Sequence, residues 1–183
     1  MKAITKAVAT QQFDKQLFRS SPLFITCDHS WDGGITEDSS LCEKALFYGL
    51  ADRMSSIIKD IAAALGENPL VGKALCENEV MFAHWSDLED NALYRQLTDR
   101  FRKNKYYELS LPADGHAVDL AVEANFMYLS HISFFLPKSK MVLVPTCHTE
   151  ILVFCPDRQK HLDTLHRATQ KFSDPIFQIQ IME

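Results

Sequence analysis

The sequence predicts an α+β domain, on three observations. One amphipathic helix pattern, opened by a capping box and closed by a glycine, runs from Ser40 to Gly66. Short apolar or alternating runs with strand character lie on both sides of it. No linker, low-complexity tract or charge block divides the chain. Its 183 residues therefore read as a single domain, a mainly antiparallel sheet packed by about three helices, the longest near 40–65.

Taken in order, Met1 to Arg19 is mixed, with a short helix expected around Phe13, Leu17 and Phe18 and ended by Ser20, Ser21 and Pro22. Leu23 to Cys27 is short, apolar and partly β-branched, the pattern of a buried strand. Asp28 to Ser39 reads as a loop, in which Gly33 and Gly34 permit backbone angles that other residues resist. Ser40 and Glu43 then fit a capping box, the serine oxygen accepting an early amide and the glutamate reaching back to the cap. Leu46, Leu50, Met54, Ile58, Ile61 and Leu65 recur at helical spacing, a stripe that faces a core. Gly66 stops the helix and Pro69 prevents its resumption. This helix is expected to cover one face of the sheet.

Glu79 to Trp85 reads as a strand, and Ser86 to Glu89 as a second capping box ahead of Leu93, Leu97 and Phe101. Arg100, Arg102, Lys103 and Lys105 gather at that helix end, where the dipole favours cations. Tyr107, Leu109 and Leu111 alternate with polar residues, and Pro112 to Gly115 is turn chemistry. Val118, Leu120 and Val122 alternate with Asp119, Ala121 and Glu123, which reads as the return strand of a hairpin. A helix through Tyr128 competes with that reading, and Met127 to Leu136 suits either a strand or a buried helix. Met141 to Val144 and Glu150 to Cys155 form another strand pair. Pro145 beside them has no donor for a ladder and suggests an edge or a bend. Asp157 caps a last helix carrying Leu162, Leu165, Thr169 and Phe172. Phe177, Ile179 and Ile181 alternate with Gln178 and Gln180, a strand with one wet face.

Composition limits the function classes. The formal net charge is −5, which argues against direct nucleic-acid binding and suits a basic partner. Five cysteines, an odd count without C-x-x-C spacing, read as reduced thiols in a cytosolic protein. No apolar run suggests a signal peptide or a membrane span. Phosphate-cradling and hydrolase motifs are missing from the sequence, and no cofactor is expected. Cys42 and Cys155 read as small apolar residues.

Two stretches echo each other. His29-Ser30-Trp31-Asp32 follows one strand and His84-Trp85-Ser86-Asp87 follows another, and these hold the only two tryptophans. The plainer reading is that Ser and Asp start helices while Trp buries its ring at a strand end. The functional reading is a recognition edge made of Trp31, Asp32, Glu37, Asp38, Trp85, Asp87, Glu89 and Asp90. Trp anchors binding hot spots and a carboxylate rim steers a cationic partner. Such a surface suits a small acidic inhibitor, of the type of a bacterial immunity protein that neutralises a basic nucleic-acid-handling enzyme. The alternative is a metal- or thiol-dependent hydrolase at the strand ends. Cys27, His29, Cys147 and His148 would supply a zinc-type set, and Asp28, His29, Asp32, His148 and Glu150 a harder cation site. In the thiol version, Cys27 or Cys147 is the nucleophile with His29, His148 or His116 as base, and the hydrolase alternative as a whole takes Cys27, His29, Asp32 and His148 as its catalytic candidates. Isolated Cys and His pairs without tight spacing are, however, common accidents of sequence.

Overall fold

The computed structural model describes residues 1–5, 8–9, 20–28, 35–36, 38–73, 92, 95–96, 99, 106–111, 113–127 and 132–182. Among them, eight strands form one sheet and three helices cover one of its faces. The strands are β1 (Lys2–Ala3), β2 (Leu23–Cys27), β3 (Leu70–Lys73), β4 (Tyr106–Glu108), β5 (Ile132–Leu136), β6 (Met141–Pro145), β7 (Ile151–Phe154) and β8 (Ile179–Met182). The helices are α1 (Leu41–Leu65), α2 (Gly115–Phe126) and α3 (Arg158–Phe172). The sheet order is β1-β4-β3-β5-β6-β7-β2-β8, and every neighbouring pair is antiparallel.

The capping box of α1 forms. Ser40 Oγ accepts the Glu43 amide at 3.2 Å, and the Glu43 carboxylate accepts the Ser40 amide at 2.7 Å. Gly66 ends the helix at φ 62°, a left-handed conformation that costs a residue without Cβ little. Leu50, Met54, Ile58 and Ile61 of the stripe are fully buried, joined by Phe47 and Ile57. Each such side chain is worth about 2 kcal/mol relative to exposure. Cys42 departs from its expected role: it is the second residue of the helix, ahead of the buried part of the stripe, and is exposed.

The Val118 to Val122 segment is the main correction. It is not a return strand but, as the competing helical reading has it, the middle of α2. Its alternation is incidental: Ala117, Val118, Ala121, Val122 and Ala124 are all buried, leaving Asp119 and Glu123 four apart on one outer stripe. Met127 ends α2, and Ile132–Leu136 is the strand of the two alternatives open there. Pro145 ends β6, which lies inside the sheet between β5 and β7, so it marks a strand end and not an edge. The last strand begins at Ile179, and Phe177 packs into the core ahead of it. The expected helix around Phe13 and the strand and capping box of 79–89 lie outside the described residues.

Helix α1 sits between α2 and α3. Their apolar faces meet Leu23, Ile25, Val71, Phe134, Leu143, Ile151 and Val153 from the sheet. The opposite sheet face carries a second buried cluster: Leu70, Phe135, Val142 and Phe154, with Ile4, Val144 and Leu152 against it. All five residues of β5 are therefore buried. Two polar side chains close the ends of this region. Buried Asn125 donates to the carbonyls of Ile132 and Pro145, both at 2.8 Å, and accepts the Ile132 amide at 2.9 Å. At the other end, buried Glu67 accepts the amides of Lys138 (2.7 Å) and Ser139 (2.8 Å), holding the β5–β6 turn.

Asn125→Ala leaves three buried backbone groups without partners and is expected to destabilise the domain by about 3 kcal/mol in urea unfolding. Ser133 Oγ is buried without a hydrogen-bond partner among the described residues. Ser133→Ala on the same strand should thus be neutral or slightly stabilising, which separates the loss of a hydrogen-bonded clamp from mere truncation of a buried polar group.

Candidate functional site

Strand directions define the site. Four antiparallel steps separate β3 from β2, so the two strands run parallel to each other. The chain leaves β2, β3 and β6 at one end of the sheet. It re-enters there at β4, β5, β7 and β8.

Two sequence candidates are side by side at this end. Ile25 pairs with Ile151, which puts Cys27, two residues on, level with Thr149 of the β6–β7 turn. Cys27 is buried at the end of β2, and its thiol donates to Asp28 Oδ1 at 3.2 Å. The same carboxylate oxygen accepts the Gln178 amide at 3.2 Å, tying the exit of β2 to the approach to β8. Such a thiol is engaged as a proton donor, whereas a nucleophile or metal ligand acts as thiolate.

The β6–β7 turn is tightly bonded. The Thr146 amide donates to the Glu150 carbonyl at 2.8 Å, and Thr149 N–H to the Thr146 carbonyl at 3.1 Å. The Thr146 hydroxyl accepts the His148 amide at 3.2 Å. Thr149 is buried with φ 58°, a left-handed conformation that disfavours a β-branched residue. Its hydroxyl donates to the His148 carbonyl at 2.7 Å. The turn presents Cys147 half-buried and His148 exposed. Burial pushes the Glu150 carboxyl above the usual range, opposed by His148 and by a hydrogen bond with Thr146.

Among the described residues, no three His, Cys, Asp or Glu side chains form a group that could hold a metal ion. Asp38 is exposed just ahead of α1. His29, Trp31, Asp32, Glu37, Trp85, Asp87, Glu89 and Asp90 lie outside the described residues. The site thus brings Cys27, Asp28, Cys147, His148 and Glu150 to one end of the sheet.

Other polar groups escape a reading by motif. Ser55 Oγ on α1 donates to Asp119 Oδ1 on α2 at 2.6 Å, and Lys59 Nζ reaches the same oxygen at 2.5 Å. Burial raises the Glu123 carboxyl, with the Asp52 and Asp119 carboxylates adding to it and His116 opposing. The four-residue spacings Ser55–Lys59 and Asp119–Glu123 would reveal this seam, but only once 115–126 is read as helix. Nearer β8, Arg53 donates to the Gly49 carbonyl at 2.9 Å, bonds Asp174 and lies 4.2 Å over the Phe177 ring. A Cβ at Gly49 would stand 3.2 Å from that ring, so glycine lets the loop ahead of β8 close on α1. The Arg53 hydrogen bond, with the Phe177 and Ile176 amides, holds the Asp174 carboxyl below its usual range. Burial also lowers the His161 pKa and raises that of the Cys155 thiol.

Comparison with protein-family models, with curated proteins and with solved structures gives no match.

Two measurements follow from this chemistry. Burial sets the order of maleimide labelling among the four described cysteines: Cys42 first, Cys147 next, Cys27 and Cys155 far behind. If Cys147 outpaces Cys42, His148 is activating it and a thiol chemistry returns to this turn. The second is a pH series. A carboxyl raised by folding keeps its proton in the native state while the unfolded chain loses it. Stability from Glu123 is therefore lost as pH rises from the ordinary carboxylate value through the raised one. Glu123→Gln should raise the melting temperature at pH 7 and leave it nearly unchanged well below the ordinary carboxylate value. An equal effect at both ends of the series would contradict this electrostatic origin.

Proposed function

We propose that this chain is a non-enzymatic protein-binding domain that engages a basic partner through the end of the sheet where β2 and β3 stop. Its most concrete form is an inhibitor or immunity-type protein that neutralises a nucleic-acid-handling enzyme. The observation that carries the reading is the shared direction of β2 and β3. The chain segments that follow Asp28 and Lys73 depart from the same end, and in sequence they contain Trp31 with Asp32, Glu37 and Asp38, and Trp85 with Asp87, Glu89 and Asp90. The segment between Lys73 and Tyr106 both departs and returns there, since Gly72 pairs with Tyr106.

The energetics support a protein partner. One buried indole contributes about 2 kcal/mol or more at an interface centre, while rim carboxylates mainly raise the association rate. The net charge of −5 favours encounter with a cationic surface. The register of Cys27 beside the β6–β7 turn favours, as a second reading, a thiol- or metal-dependent hydrolase at the same end. The use of the Cys27 thiol as a donor to Asp28 speaks against it.

The test is retention of a partner from the native host on immobilised protein at low salt. Trp31→Ala or Trp85→Ala should weaken retention by about tenfold or more, with far-ultraviolet circular dichroism and melting unchanged. Retention by the wild type should also fall as salt rises. Unfolding of both variants, with no separable loss of binding, would return the tryptophans to the core and defeat the proposal.

A further inference from the structure

The two edges of the sheet differ. On one side is β1, two residues long and carrying Lys2, a short charged edge of the kind that discourages further pairing. On the other is β8, which has β2 on one side and no strand on the other among the described residues. From Pro175 to Met182 there is no charged side chain. Ile176 and Met182 flank this stretch at 55% and 52% exposure. They are two of the five large apolar side chains that are exposed among the described residues.

Backbone directions show which part of the edge the described residues leave open. The Gln178 amide points toward β2, where Asp28 accepts it. The Ile179 amide points the other way, to Ser173 Oγ at 3.0 Å. Asp174 Oδ1 accepts the Phe177 amide at 2.9 Å on that same outer side. The loop through Ser173 and Asp174 thus closes the first half of the edge. By the alternation of a strand, the amide and carbonyl of Ile181 also face outward, beyond the reach of that closure.

We propose that β8 pairs antiparallel with β8 of a second copy of this chain, across a two-fold axis at Ile181. In that register Ile181 exchanges both of its outward hydrogen bonds with Ile181 of the other copy, and Gln180 stands opposite Met182. The strand is complementary to itself: an apolar residue meets itself on the helix-covered face, and no like charges oppose each other despite the acidic chain. An axis through paired edges keeps the same face up in both copies. The α3 helices, which pack on β8, therefore come to the same side and extend the contact. The contact is small, so the dimer is a weak one, formed at high micromolar concentration. It stands whether or not the opposite strand ends bind a basic partner.

Sedimentation velocity of the full chain from low to high micromolar concentration tests this. The expected result is a shift from one 20.9 kDa chain toward twice that mass. The Ile181 amide should exchange more slowly as concentration rises. Ile181→Pro removes the outward donor, together with an apolar side chain that packs against the core, and should leave a monomer. Met182→Lys and Gln180→Lys, which put charge on the same edge without touching the ladder to β2, should weaken association about tenfold and serve if the proline variant does not fold. A wild type that stays monomeric at every concentration overturns the proposal. So does a folded dimer that survives these substitutions.

Discussion

A strand buried on both faces constrains the whole of this molecule. Every residue of β5 is out of water, so its polar backbone must be satisfied by neighbours in the sheet and its side chains need an apolar layer above and below. β3 and β6 supply the ladders. The ladder runs out at Ile132, and there the amide and carbonyl are taken by Asn125 from the end of α2. One apolar layer comes from the helices, and on the other face Phe135 is buried in a cluster with Val142 and other side chains of the sheet. The stripe on α1 and the β-branched and aromatic strands are both consequences of that double burial.

The two ends of the sheet are made differently. At the end near Gly66, a buried carboxylate grips the β5–β6 turn through backbone amides, a closed arrangement with a structural purpose. At the opposite end, β2 and β3 both release the chain, and a turn with Thr149 in a strained backbone conformation holds Cys147 and His148 toward the surface. Strain of this kind persists only where surrounding bonds fix it, and here the Thr146 and Thr149 hydrogen bonds do so. A firmly bonded turn, half-buried Cys147 and exposed His148 thus coincide at the sheet end to which the proposal assigns the partner.

Helix α1 was legible because its signals are local. A capping box, a six-member apolar stripe and a stop glycine all act within one segment. The strands Leu23–Cys27, Met141–Pro145 and Ile151–Phe154 were legible for the same reason. Helix α2 was not. Its small residues, Ala117, Ala121 and Ala124, carry little periodic signal, and Val118, Leu120 and Val122 happen to alternate. Tertiary packing under α1 decided between the two patterns. The interior position of Pro145 also depends on long-range strand order, which no local window contains. Of the candidate site, the sharing of one sheet end by Cys27 and the 146–150 turn needed register as well as sequence. The Ser55–Asp119–Lys59 seam was invisible while Asp119 was read as a strand residue.

Native-state amide hydrogen exchange tests the double burial of β5 most directly. The amides of Phe134, Phe135 and Leu143 are expected to exchange only through global unfolding, with the highest free energies in the chain and the same dependence on denaturant as the unfolding transition. Exchange of these amides through local openings, at free energies well below those of the middle of α1, would show that β5 is not the shielded centre and would contradict the account.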